Sequence, residues 1–379
     1  MKKQRIIIAP NTFKHSISAR QAAIAIREGL EQSKLDCDTV LFPVADGGDG
    51  TAELLIAYLH ATIITKKATD PLGRQINTYY GLKGDTAILE LAAVSGLQLL
   101  NPGEYDPLRA TSYGTGELIA DAVANGARKI ILCIGGSATV DGALGILRAL
   151  GVQFTDGEGD EIIYPYQMVS LADYSIRADS PLTQLEIRIL CDVRNRLLGE
   201  QGAAAVFGPQ KGASQDDVVE LEKALTQLRN IVLMKSSKDI NAVTHGGASG
   251  GVAAGMYGIA NASLMNGIDY FLEISGFARE LAGALCVITG EGSIDEQTLE
   301  GKAPFGVAMN ARKYGVPVIA LGGVVPEKPI EALQSCFYEI ISINPPGIDK
   351  QQAIISAKNN LIATAKHIGD LIAEGRLLQ

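Results

Sequence analysis

Tryptophan is absent from the 379-residue chain, histidine occurs four times, cysteine five times, and no block of basic residues appears anywhere along it. Each scarcity removes a class of function. The histidines, His15, His60, His245 and His367, are scattered without the paired spacing of a structural zinc site. Lys and Arg number 33 against 42 Asp and Glu, a formal net charge of −9, so neither DNA nor RNA is an expected partner. No apolar run approaches the ~18 residues of a membrane span. The apolar stretch after MKKQR turns polar at Asn11, too short for a secretory leader, and a cytoplasmic protein without membrane partners is expected. Cys37, Cys133, Cys191, Cys286 and Cys336 lie far apart, three of them in strand-like apolar stretches, the placement of buried thiols in a reducing compartment. A GxxxxGK[ST] loop, a GxGxxG turn after a strand and the protein-kinase motifs are also missing. Their absence argues against a P-loop kinase and a dinucleotide-dependent dehydrogenase.

What is present is an α/β pattern. Short apolar runs bounded by Gly, Asn, Asp or Pro alternate with helix-period segments, and the length suits two packed cores. Arg5 to Pro10 reads as a buried strand, 11–17 as a loop, and Ser18 to Glu31 as a helix with Ser18 and Gln21 at capping-box spacing. A strand follows at 39–42 and a helix at 51–59. The same order returns late: strand 285–289, loop 290–301, helix 303–314, strands 316–321 and 337–342, and a long helix from about residue 350. Residues 75–284 differ, with β-rich stretches near 77–91 and an amphipathic helix at 215–230. They are expected to form an inserted mixed α/β domain, while 1–74 and 285–379 form one discontinuous, doubly wound domain, with ligands bound between the two.

Five polar, glycine-rich segments fall where strands end. APNTFKHSISA (9–19) presents Asn11, Thr12, Lys14 and Ser16, and PVADGGDGT (43–51) offers Asp46 and Asp49 beside paired glycines. KIILCIGGSATVDGALG (129–145) runs from a strand through Gly135, Gly136, Ser137 and Thr139 to Asp141 and a helix, a natural phosphate cradle. Upstream, ATSYGTGELI (110–119) contributes Thr111, Ser112, Thr115 and Glu117, either to the same pocket or to a helix cap. In ILCDVRNRLLG (189–199) Asp192 follows a buried strand, making it a candidate general base or metal ligand. AVFGPQKGA (205–213) places Lys211 between glycines, as suits a mobile phosphate contact. VITGEGSIDEQTLEGKAPFGVA (287–308) packs Glu291, Asp295, Gln297, Thr298 and Lys302 into one strand-to-helix loop. Each segment alone also reads as a turn or a cap; their number argues for a site.

Through APNTFK, ADGGDGT, GGSATVDG, CDV, FGPQKGA and ITGEGSIDEQTLEGK, nearly the whole chain resembles the bacterial glycerate kinase family. That resemblance implies a flavodoxin-like (Rossmann-like) domain paired with a second α/β domain, and an ATP- and Mg2+-dependent kinase acting on glycerate. The family pattern has Asp and Ser where Asn11 and Thr12 stand here, Gly at His15, Asn at Val140 and Pro at Arg196. Loss of the acid at position 11 bears on metal or substrate binding.

Phosphoryl transfer proceeds mainly by positioning and charge stabilisation, and roles are expected accordingly. Gly135, Gly136, Ser137, Thr139, Asp141 and Thr115 are expected to bind the nucleotide. Asp46, Glu291 and Asp295 are candidate Mg2+ ligands, and Asn11, Lys14, Asp46, Asn195, Asp295 and Gln297 candidate glycerate contacts. Lys14 and Lys211 are expected to neutralise anionic groups, and Asp192 to act as base. Two other readings stand: a kinase for another small hydroxy acid, and a catalytically silent binder of a small acid or nucleotide that regulates something else. The position phosphorylated, 2 or 3, the stereoisomer and the oligomeric state are not legible.

Overall fold

The structure, a computed structural model, describes residues 3–328 and 330–378. Its strands are β1 (Gln4–Pro10), β2 (Cys37–Leu41), β3 (Thr62–Thr69), β4 (Gln75–Lys83), β5 (Thr86–Glu90), β6 (Lys129–Cys133), β7 (Val152–Asp156), β8 (Leu171–Ile176), β9 (Glu186–Cys191), β10 (Ser263–Asn266), β11 (Ala284–Ser293), β12 (Val318–Val324) and β13 (Glu339–Ser342). The chain divides into two compact units, Met1–Asp46 with Ile268–Gln379, and Gly47–Gly267.

The first unit carries a five-stranded parallel sheet in the order β13-β12-β11-β1-β2. Counted within the unit this is 2-1-3-4-5, the flavodoxin-like order. Ile6, Ile7 and Ile8 are fully buried, as both-face burial of a central parallel strand demands, and each such side chain contributes roughly 1.5–3 kcal/mol. Helix Ala19–Glu31 starts on Ser18, whose hydroxyl accepts from the Gln21 N–H while the Gln21 side chain accepts from the Ser18 N–H, the reciprocal cap that the sequence predicts. Its buried face packs against helix Lys350–Ala373. At Gly29 an added Cβ would lie 2.3 Å from the Ile362 carbonyl oxygen, so only glycine lets these helices close.

The second unit holds a six-stranded sheet in the order β10-β9-β6-β5-β4-β3, with β3/β4 and β4/β5 antiparallel and the remaining pairs parallel, plus the antiparallel pair β7/β8. Helices Tyr113–Ala124, Gln215–Ser236 and Ala248–Ala260 enclose its core, which includes Leu118, Leu132, Phe154, Ile189, Leu225 and Val252.

The unit boundaries differ from those expected at 74/75 and 284/285. Residues 47–74 go with the second unit because β3 pairs with β4 along its whole length, and because helix Thr51–Leu59 covers β4, where an added Cβ at Gly81 would meet Ile56. Residues 268–284 go with the first unit: Ile268 fills the space left by Gly306, and the Phe277 ring lies 5.1 Å from Phe42. Cys133, Cys191 and Cys286 are buried free thiols, and burial pushes Cys286 up to about 12. Among the described residues no helix is long and apolar enough to cross a membrane.

Candidate active site

In the first unit, the polar residues gather at the carboxyl ends of β1 and β11, where open α/β sheets bind ligands. Asn11 follows β1, and its N–H donates to the Gly290 carbonyl at 2.8 Å. Its side chain is used at both ends: the carboxamide N–H donates to Asp46 Oδ2 at 3.0 Å, and Oδ1 accepts from the Thr12 N–H at 2.8 Å. An acid at position 11 would set one carboxylate against another here, whereas the carboxamide turns the pair into a hydrogen bond.

β11 continues through Ser293, so Glu291 stands on a strand and not in the loop that the glycines of TGEGS suggest. Glu291 is buried and accepts from the Thr298 hydroxyl at 3.2 Å. Burial pushes its carboxyl up to about 8; Asp46 and Asp295 push the same way, and Lys302 opposes them. Asp295 caps the turn 296–300, accepting from the Gln297 N–H at 3.0 Å and the Ser293 hydroxyl at 2.6 Å, with Lys302 Nζ 3.9 Å away. Gln297 is exposed and accepts from Lys302 at 3.4 Å, while Lys14 is exposed in the turn between Phe13 and Ile17. Asn11, Asp46, Glu291, Asp295 and Lys302 thus form one electrostatic group. The expected metal set of Asp46, Glu291 and Asp295 does not form a cage: no group of three acidic, His or Cys side chains converges in that way among the described residues. Asp295 serves as a cap, Glu291 favours its protonated form, and Asp46 accepts from Asn11, so a cation here would find one carboxylate from this group at most. A Mg2+ that takes one protein carboxylate and finds its other ligands on phosphates and water suits such a set.

In the second unit, β6 runs straight into the loop Gly135–Asp141. The Gly135 N–H donates to the Gly47 carbonyl at 3.0 Å, an added Cβ there would lie 2.5 Å from Gly48 Cα, and one at Gly47 would lie 2.9 Å from the Leu190 carbonyl oxygen. The paired glycines of two motifs are therefore packed backbone to backbone. Lys211 is 2% exposed, and its Nζ donates to Ser137 Oγ and the Thr139 carbonyl, each at 2.7 Å. Burial pushes its ammonium down to about 7, with Asp141 opposing. Lys211 is thus anchored where a mobile side chain was expected, and it holds the glycine loop in shape. Thr139 Oγ1 is buried without a hydrogen-bond partner among the described residues.

Two other expected nucleotide contacts also turn out to be interior braces. Asp141 is fully buried and accepts from Ser112 N (2.8 Å), Ser112 Oγ (2.7 Å), Ala143 N (3.2 Å) and Gly145 N (3.1 Å). It satisfies the starts of two helices at once. Thr115, fully buried, pairs with the Ser95 hydroxyl at 2.8 Å. Asp192 is half-buried directly after β9, and the Asn195 carboxamide donates to the Gln201 carbonyl at 2.8 Å, holding its own loop.

The sequence reading missed the segment 245–251. His245, Ser249, Gly250 and Gly251 have φ of 74°, 53°, 67° and 88°, and the left-handed run bends the start of helix Ala248–Ala260 onto the glycine loop. Gly250 accepts from the Gly142 N–H at 3.0 Å, and an added Cβ there would lie 2.0 Å from the Thr139 carbonyl oxygen. His245 Nδ1 lies 2.6 Å from the Val193 carbonyl, and the Gly247 N–H donates to the Asn195 carbonyl at 2.8 Å. Ser249, Gly250 and Gly251 are left-handed in succession where the segment meets the glycine loop. The signal was the glycine density of THGGASGG. Gly135–Thr139, Asp192–Asn195 and 245–251 all lie at the carboxyl ends of β6 and β9.

A flavodoxin-like sheet in one unit and a glycine loop braced by a buried lysine in the other define a two-unit α/β protein. The glycerate kinase family model matches residues 6–373, and the chain belongs to that family. It is 39% identical over 371 residues to the glycerate 2-kinase of Escherichia coli (strain K12), covering 95% of this chain and 97% of that one. It is 38% identical over 373 residues to the glycerate kinase of Haemophilus influenzae, covering 97% and 99%. A crystal structure of a Salmonella typhimurium LT2 protein assigned as glycerate kinase 2 matches with a TM-score of 0.83 and 37% identity over 99% of this chain and 100% of that one.

Proposed function

We propose that the protein is a kinase that transfers the γ-phosphoryl group of ATP, in the presence of Mg2+, to a hydroxyl of glycerate. The observation that carries this reading is the loop Gly135–Asp141 after β6, with Ser137 and Thr139 held by Lys211 and the left-handed run 249–251 packed against Thr139. The names of the full-length relatives support glycerate as acceptor, and that of the Escherichia coli relative supports the 2-hydroxyl and 2-phosphoglycerate as product.

In this reading the substrate hydroxyl oxygen attacks the γ-phosphorus, the bond to the β,γ-bridging oxygen breaks, ADP leaves, and the hydroxyl proton goes to Asp192. Loop N–H groups other than that of Gly135 would take phosphate oxygens, Lys211 would hold the loop for them, and Asp46 would hold Mg2+, which would neutralise phosphate charge. Asn11, Lys14, Asn195, Asp295 and Gln297 remain the residues for the acid. A second reading, a kinase for another small hydroxy acid, is favoured by one observation, the amide at position 11 bonded to Asp46. A coupled assay of ADP release tests both. Release that requires glycerate and Mg2+ together supports the first, release with a different hydroxy acid alone supports the second, and release with no acid overturns both.

A further inference from the structure

A cavity of about 880 Å³ opens in the unit 47–267, and of the sequence motifs only Thr111, Tyr113 and Gly212 reach its wall. That volume lies toward the top of the roughly 300–1,000 Å³ typical of small-molecule sites, far more than a three-carbon acid fills. Thr69 on its rim ends β3, which runs in the same direction as β5, so the cavity sits at the carboxyl end of the sheet.

Its walls are aromatic with loosely held charge. Tyr105, Tyr113 and Tyr164 line it; the Arg148 guanidinium lies 5.7 Å from the Tyr113 ring centroid, and Tyr164 stacks on Tyr166 at 6.0 Å. Two of its acids are occupied: Glu104 by Arg74 and Asn101, and Asp217 by Ser214. Arg109 is 68% exposed and reaches Asp106 only at 4.0 Å, leaving one guanidinium and one carboxylate available to a guest. Tyrosine faces bind a flat heterocycle, and a carboxylate accepts from an exocyclic amine or from ribose hydroxyls.

The cavity is also one residue from the glycine loop's brace. Gly212, with φ of 97°, lines it and lies so near Tyr105 that an added Cβ would stand 2.7 Å from the Tyr105 Cβ. The preceding residue, Lys211, holds Ser137 and Thr139. A smaller cavity of about 340 Å³ has Asp49, Glu53 and Glu90 in its wall and no Lys or Arg, whereas Arg109 and Arg148 line the larger one, so the smaller disfavours an anionic nucleotide.

We propose that the 880 Å³ cavity seats the adenosine portion of the nucleotide; this rests on the reading of the protein as an ATP-dependent kinase. The test is photolabelling of the full chain with 8-azido-ATP and peptide mapping, beside the kinetics of Tyr105→Ala and Tyr164→Ala. Tyr105→Ala keeps the Cβ that Gly212 packs on, and Tyr164 is 40% exposed, so both variants preserve the fold. Label is expected in peptides carrying residues 103–113 or 163–164, displaced by ATP. The KM for ATP is expected to rise roughly 5- to 100-fold, the size of a lost base–aromatic contact, with the KM for glycerate unchanged. Label confined to other peptides, or an unchanged KM for ATP in both variants, overturns the proposal. Labelling needs no turnover, so a labelled cavity without glycerate phosphorylation defeats the acceptor assignment and leaves this inference standing. Turnover of glycerate with label elsewhere does the reverse.

Discussion

Lys211 donates to the Ser137 hydroxyl and the Thr139 carbonyl, both at 2.7 Å, from a point more than 70 residues further along the chain. A buried ammonium spends free energy on desolvation, and the shape of the glycine loop is what it secures. Lys211→Met keeps the volume and removes the donors. The expected result is a fall in kcat/KM for ATP of roughly 100-fold, since a misplaced loop costs about that much. With the folded lysine at about 7 against an ordinary 10.5, the unfolded chain binds more protons across that window, so this residue's contribution to stability rises with pH between those values. The Met variant should lose that rise in a series of thermal melts. Parallel Tm–pH curves for the two proteins would count against a buried, charged brace.

Glu291 works in the opposite sense. Its folded value of about 8 lies above the ordinary 4.5, so the folded protein binds the extra proton, and the stability it gives is present below about pH 4.5 and lost as pH rises through 8. Glu291→Gln mimics the protonated form and retains the bond from Thr298. Melts should show the variant more stable than the parent near pH 9 and the two alike near pH 5. Equal stability at both pH values would place Glu291 in solvent.

Asn11→Asp restores an acid beside Asp46, where the carboxamide now donates at 3.0 Å. Two carboxylates at that distance repel, and a divalent cation relieves the repulsion. The variant should melt below the parent without Mg2+ and gain more in Tm than the parent as Mg2+ is added. An identical Mg2+ response would remove Asp46 as the cation's carboxylate.

Asp192→Asn keeps shape and hydrogen bonding at the end of β9 and removes a proton acceptor. Loss of a general base lowers the rate roughly 10²- to 10⁴-fold. Excess Mg2+ or Mn2+ should not restore it; recovery by metal would make Asp192 a ligand instead, and an unchanged kcat across the metal range would take it out of the chemistry.

The strands and most helices were legible because they are set by local patterns: RIIIAP reads as a buried strand, and Ser18 with Gln21 as a cap, from adjacent residues alone. Misreadings arose where a partner lies far away in sequence. Nothing near Lys211 or Asp141 announces that their partners lie up to 74 residues off and inside the core, so both look like ligand contacts. Glu291 was read into a loop because Gly290 and Gly292 flank it, yet Gly290 is needed for close packing on β12, where an added Cβ would lie 2.5 Å from the Leu321 carbonyl oxygen. The segment 245–251 went unread because its left-handed run against Thr139 is a tertiary fact. The unit boundaries shifted because strand pairing, as of β3 with β4, carries no local signal of which sheet it joins.

The most direct test of the central claim is phosphorus NMR of the full chain incubated with ATP, Mg2+ and glycerate. The account predicts ADP together with a phosphomonoester resonance coupled to the C2 proton of 2-phosphoglycerate, appearing only when glycerate is supplied. Inorganic phosphate in place of that resonance, or ADP formed at the same rate without glycerate, would contradict it.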